Sequence, residues 1–133
     1  MPLFFGVLFM TNHELKQLRR LLFLEVSEAA QLIGECEPRT WQRWEKGDRA
    51  IPRDVIQKVQ MLSLSRLEYL QHEHDESDPS IRYFETFHEY KAAGGGGNEL
   101  KWRLAQSVAT ALLCEREAES WREEETIVPD NMD

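Results

Sequence analysis

Long apolar runs are scarce in this chain. The opening MPLFFGVLFM spans ten residues, about half of what a membrane-crossing helix needs. No cation precedes it and a charged segment follows at once, so it is also a poor secretory leader. Three readings of it stand: an extension upstream of a natural start at Met10, a flap packed on the body, or an apolar contact with a partner. Cysteine is equally sparse. Cys36 and Cys114 supply no disulfide framework and no metal-ligand spacing, and they fit a reducing cytoplasm, where each is an ordinary small residue. There is no Gly-x-Gly-x-x-Gly, no phosphate loop and no Ser–His–Asp ordering. No acid–base or nucleophile pair stands out, and no internal repeat. The expectation is therefore a cytoplasmic protein without enzymatic activity, cofactor, metal or membrane partner. HEHD at 72–75 reads as part of a solvated linker. GGGG at 94–97 has no following Lys and no preceding strand, and reads as a helix break.

Charge is present but unevenly spread. The chain of 133 residues carries a net −8. Residues 10–70 hold ten Lys/Arg against nine Asp/Glu, whereas residues 71–133 hold six against fifteen. The second half is a poor polyanion binder and suits solubility or a protein partner. Its glutamate-rich stretch 115–125 reads as a solvated face and tail that would point away from a phosphate backbone. With 41% apolar and 30% charged residues, the composition fits a packed domain.

Helical punctuation is frequent. Thr11 and Glu14 form a capping box ahead of Leu15, Leu18 and Leu22, predicting a helix over 12–22. VSEAAQLIG predicts a short second helix capped at Ser27 or its neighbour and stopped by Gly34. Pro38 suits the first turn of a third helix ending at Gly47. Pro52 opens a fourth that reaches about Leu70. QHEHDESDPS at 71–80 is a polar linker. Thr86 with Glu89 makes a second capping box, and Asn98 caps a longer helix over 98–119. Ile81–Phe84 and 126–128 are candidate short strands.

Between positions 39 and 53 the chain gathers Arg39, Arg43, Lys46, Arg49 and Arg53 beside Trp41 and Trp44. At about 100° per residue, Arg39, Gln42, Arg43 and Lys46 fall on one side of the third helix and both indoles on the other. The tryptophans then anchor the helix and the cations face outward. Arg can grip guanine N7 and O6, Gln can do the same to adenine, and a helix of this width enters the major groove. A plain amphipathic helix with solvated charges has the same pattern, so the wheel by itself leaves both readings open.

WEKGDRAIP resembles the W-E-x-G-x-R-x-P signature that follows the recognition helix in phage-repressor-like (Cro and repressor type) helix-turn-helix domains. The first helix, SEAAQLIG, Trp41 in the usual aliphatic slot and the Pro52 helix fall in register with it, over about residues 11–70. MTNHELKQLRRLLFLEVSEAAQLIG, RTWQRWEKG and LKWRLAQSVATALL extend the likeness to the YdiL-like group of small bacterial and phage regulators, which includes anti-CRISPR-associated autorepressors. The chain departs from the broad family at Val26, where a phosphate-touching Gln is common, and in a turn after Gly34 that is one residue longer.

The resemblance implies a mainly α fold: a four- to five-helix repressor-like domain at 11–70, a linker at 71–80 and a helical dimerisation region at 81–133, with 1–10 as an extension. It implies double-stranded DNA and a second copy of the chain as partners, in a repressor reading an inverted repeat; a toxin held by the acidic half, or an RNA hairpin on the basic face, are rival partners. Base reading falls to Arg39, Gln42 and Arg43, and phosphate contact to Ser27, Thr40, Lys46, Arg49 and Arg53, with Arg49 equally suited to cap the third helix. Structural roles fall to Arg19 paired with Glu45, to Trp41, to Trp44 and to Gly47 in a left-handed cap. Tyr83, Phe84, Phe87, Leu100, Leu104, Val108 and Leu112 are the expected dimer seam.

Overall fold

Thr11 and Glu14 close the first turn of helix α1 (Asn12–Leu21). The Glu14 amide donates to the Thr11 hydroxyl at 3.0 Å and the Thr11 amide donates to the Glu14 carboxylate at 2.8 Å. The computed structural model describes residues 9–123. After α1 come α2 (Val26–Ala29), a π-type turn at Ala30–Gly34, α3 (Pro38–Lys46), α4 (Arg53–Gln71), a 3-10 turn at Pro79–Ile81, α5 (Phe87–Ala92) and α6 (Glu99–Glu123). The fold is all helical among the described residues. The segment 81–84 forms no strand: the 3-10 turn at Pro79–Ile81 packs on α6, where a strand would have no edge to pair with. The other candidate strand, 126–128, lies outside the described residues, as does most of the opening segment. Met10 is buried in the core while Phe9 is exposed.

The second helix starts earlier than its sequence suggests. Glu25 occupies the cap position, and its amide donates to the Glu28 carboxylate at 2.9 Å. Ser27 therefore sits inside the first turn, exposed and relieved of capping. The longer turn before α3 is absorbed in two ways. The helix widens, so that the Cys36 amide reaches back to the Ala30 carbonyl at 3.0 Å, and Glu35 adopts a left-handed φ of 51°. Lys58 on α4 fixes this turn, donating to the Ile33 carbonyl at 3.3 Å and pairing with Glu35 at 3.1 Å. Gly34 is required by close approach: a Cβ there would lie 2.8 Å from Cys36 Sγ and 3.1 Å from the Trp44 ring.

One apolar core runs across the expected linker. Leu15, Leu22, Ile33, Trp41, Trp44, Val55 and Val59 share it with Leu104 and Val108 of α6, and Ile81 packs against it. The short helices of the first half leave an open side, and α6 covers it. Burial of such side chains is worth about 1.5–3 kcal/mol each, so α6 is part of the same folding unit. A second, aromatic cluster lies beside it. Tyr90 and Trp102 are buried with Ala105, and Phe84 and Phe87 pack on them. The Tyr90 hydroxyl donates to the Gly96 carbonyl at 2.9 Å, so the glycine run folds back onto α5.

The tie that orients α3 is nearly dry. Arg19 Nε donates to Glu45 Oε2 at 2.7 Å and Arg19 Nη2 to Oε1 at 3.2 Å, and the two side chains are only 13% and 8% exposed. Arg19 also reaches the Leu24 carbonyl at 3.0 Å, the Trp41 indole N–H donates to Glu45 Oε2 at 2.6 Å, and the Asn12 amide group donates to the Glu45 carbonyl at 3.1 Å. Removing one member of such a pair leaves an uncompensated buried charge, at a cost of about 3–5 kcal/mol. Glu45→Ala is accordingly expected to lower the urea midpoint by an amount equal to about 3 kcal/mol, with the slope of the transition unchanged. Equilibrium unfolding followed by tryptophan fluorescence checks it; a loss below about 1 kcal/mol would place the orientation of α3 elsewhere.

Candidate nucleic-acid interface

Helix α3 is built to present one side. Pro38 is its first residue and Gly47 ends it at φ 85°, a left-handed conformation that a side chain penalises. There the Asp48 amide donates to the Arg43 carbonyl at 3.0 Å and the Gly47 amide to the Trp44 carbonyl at 3.2 Å, which closes the helix in the manner of a glycine cap. Inside, Trp41 is 0% and Trp44 4% exposed, and their rings meet edge to face at 5.5 Å. Outside, Arg39, Gln42 and Lys46 are exposed, and Arg43 and Thr40 are half-buried at the margin.

The outward cations are uncommitted. Among the described residues, the side chains of Arg39, Gln42, Arg43, Lys46, Arg49 and Arg53 take part in no hydrogen bond or ion pair. Arg49 thus leaves the α3 carbonyls to the Gly47 cap and stays exposed. Ser27 is exposed on α2, and it lines a hollow of about 630 Å³ with Gln31, Glu35, Cys36, Glu37 and Pro38. The same hollow carries the carboxylates of Glu35 and Glu37, whereas four of the cations lie within eleven positions along the α3 flank, from Arg39 to Arg49.

The residues expected at a dimer seam divide into three groups. Leu104 and Val108 are 4% and 0% exposed within the single chain, so their surface is already covered. Phe84, Phe87, Leu100 and Leu112 are half-buried, the first two against Trp102 and Tyr90. Tyr83 is 55% exposed. The sequence reading missed four positioning side chains: Asn12, Lys58, Glu28 and Arg103. Each acts on a partner far along the chain, and only pairing in space reveals them. His74, from the HEHD run, lies 3.8 Å from Asp78, and its ring meets that of Tyr69 at a tilt with centroids 5.2 Å apart, while His72 is exposed. Among the described residues no helix is long and apolar enough to cross a membrane.

Cys36 lies in the turn before α3, half-buried, and burial pushes its thiol up, with the charge of Glu37 adding to the effect against a backbone hydrogen bond at Trp41. A thiol so held is a poor nucleophile at neutral pH. Iodoacetamide at pH 7.5 is expected to label the exposed Cys114 several-fold faster than Cys36, the gap narrowing as pH rises. Peptide mapping by mass spectrometry reads the two rates, and equal labelling at pH 7.5 would contradict the burial of the Cys36 thiol.

The same chain matches the sequence profile of the Aca2/YdiL-like family over residues 10–125. It is 40% identical to the Aca2 repressor of Pectobacterium phage ZF40 over 114 residues, which cover 83% of this chain and 98% of that protein. It is 26% identical to the uncharacterized protein YdiL of Escherichia coli (strain K12) over 111 residues, covering 79% and 94% of the two chains. The matched region takes in α1 to α6, the buried Arg19–Glu45 tie and the outward face of α3 alike, and the chain belongs to the Aca2/YdiL-like family.

Proposed function

We propose that this chain is a sequence-specific DNA-binding regulator, a homodimeric repressor that reads an inverted repeat through α3. One observation carries the reading: α3 is anchored by two buried indoles while Arg39, Gln42 and Lys46 point outward without partners among the described residues. A solvated amphipathic helix shares that anchoring; what favours a groove is the free Arg39 and Gln42, each able to make two hydrogen bonds to one base, beside the point charge of Lys46. Arg39, Gln42 and Arg43 read base edges in the major groove. Ser27, Thr40, Lys46, Arg49 and Arg53 hold the backbone and set the register. The relative named a repressor supports the direction of regulation.

A single α3 covers only a few base pairs, and two of them about 34 Å apart would span one turn of DNA. The far end of α6 supplies the surface for a second copy. Beyond Leu112 almost every described side chain of α6 is exposed, including Leu113 at 46% and Trp121 at 61%. An unsupported helical stretch of that length is marginal in water, and these two apolar side chains, about 80° apart around the helix, are the ones a partner's α6 would cover. Because Leu104 and Val108 are already enclosed, the seam runs farther along α6 than the helical stripe alone suggests.

Selection of bound duplexes from a random pool is expected to return a palindrome. Arg39→Ala or Arg43→Ala then costs about 1–3 kcal/mol of operator affinity with the circular dichroism spectrum unchanged. Parental affinity in gel shifts of both variants, or tighter binding to an RNA hairpin in competition, would overturn the base-reading assignment. Leu113→Glu with Trp121→Glu is expected to yield monomers in sedimentation velocity at micromolar concentration. A dimer that persists would move the seam off α6.

A further inference from the structure

Glu28 stands in the first turn of α2, next to Ser27. Its Oε1 accepts from the Glu25 amide at 2.9 Å, and both of its oxygens lie 3.0 Å from Nε of Arg103, 75 residues later on α6. Arg103 is held in turn. Its guanidinium lies 4.1 Å over the Trp102 ring, and its Nη1 donates to Gln106 Oε1 at 2.9 Å. Gln106 is 1% exposed and passes the connection on, donating from Nε2 to the Phe84 carbonyl at 2.8 Å. That carbonyl also accepts the Trp102 indole N–H at 2.8 Å. An unbroken chain of polar contacts therefore joins the start of α2 to the aromatic cluster around Trp102.

The arrangement has a mechanical reason. With four residues before its π-type turn, α2 is too short to fix its own direction. Helix α6 has 25 residues and is anchored by Leu104 and Val108. A charge-assisted Arg–carboxylate contact is strong and directional, and here both side chains are only 20% exposed, which limits screening. We propose that Arg103 is a positioning residue for the nucleic-acid face. Through Glu28 it holds α2 at the angle that brings Ser27 to a phosphate, so the C-terminal half tunes operator affinity without touching DNA. This rests on the DNA-binding reading above.

Simple charge effects and positioning predict opposite signs for one substitution. Glu28→Gln removes a negative charge from the DNA side, and electrostatics alone would tighten binding. Positioning requires that it weaken binding instead, as Arg103→Gln must. The test measures fluorescence anisotropy of the selected operator duplex with the full-length parent, both single variants, the double variant, and Ser27→Ala alone and combined with Glu28→Gln, with thermal melts alongside. Each single variant is expected to bind roughly tenfold more weakly, and the double variant no more weakly than the worse single, as for two ends of one contact. Ser27→Ala is expected to weaken binding in the parent and to cost nothing further in the Glu28→Gln background; a mere loss of folded protein would leave the Ser27→Ala cost intact. Tighter binding by Glu28→Gln, additive losses, or the parental Ser27→Ala cost in that background would overturn the positioning role. A parent that binds no duplex from the pool would overturn the DNA-binding reading itself, a result readable before any variant is made.

Discussion

The carboxylate of Glu45 is the point on which the presentation of α3 depends. It gathers the two Arg19 donors and the Trp41 indole N–H, and the backbone carbonyl of the same residue takes the Asn12 amide group. Hydrophobic burial of the indoles could be satisfied by a range of helix rotations, since apolar packing is non-directional. The hydrogen bonds are directional, and they select one rotation. Buried ion pairs of this kind add little net stability over an apolar substitute, and their best-attested use is to specify register. In this molecule the specified register is the azimuth of α3, and with it the direction in which Arg39, Gln42 and Arg43 project.

The elements most legible in the sequence are those set by local chemistry. Thr11 with Glu14, Thr86 with Glu89, Pro38 and Gly47 mark helix ends through interactions within a few residues, and the helices begin and end where those residues stand. The opposition of indoles and cations on α3 follows from a fixed rotation per residue, and the buried Trp41 and Trp44 display it. The pairing of Arg19 with Glu45 came from family likeness, because nothing in the spacing of 26 residues implies a contact.

What was not legible depends on the path of the chain in space. Residues 71–80 are polar and irregular, which in a sequence looks like a boundary. The structure carries the core past them because α6 returns to fill the open side of α4. For the same reason the apolar stripe of α6 does not say what covers each of its residues: Leu104 and Val108 face the chain's own core, while Leu113 and Trp121 stand clear of it. Periodicity reports that a face is apolar; it does not report what covers it. Ile81–Phe84 has the β-branched and aromatic composition of a strand, yet its carbonyl at Phe84 is taken by side chains of Trp102 and Gln106 instead of a ladder.

The shared interior also orders events in time. During synthesis α1 through α3 emerge first, but the interior they surround stays open until the side chains of Leu104 and Val108 arrive. Chains fold as units once the unit is complete. A polypeptide released early from the ribosome would carry every guanidinium of the outer face and still lack the plug that fixes their direction.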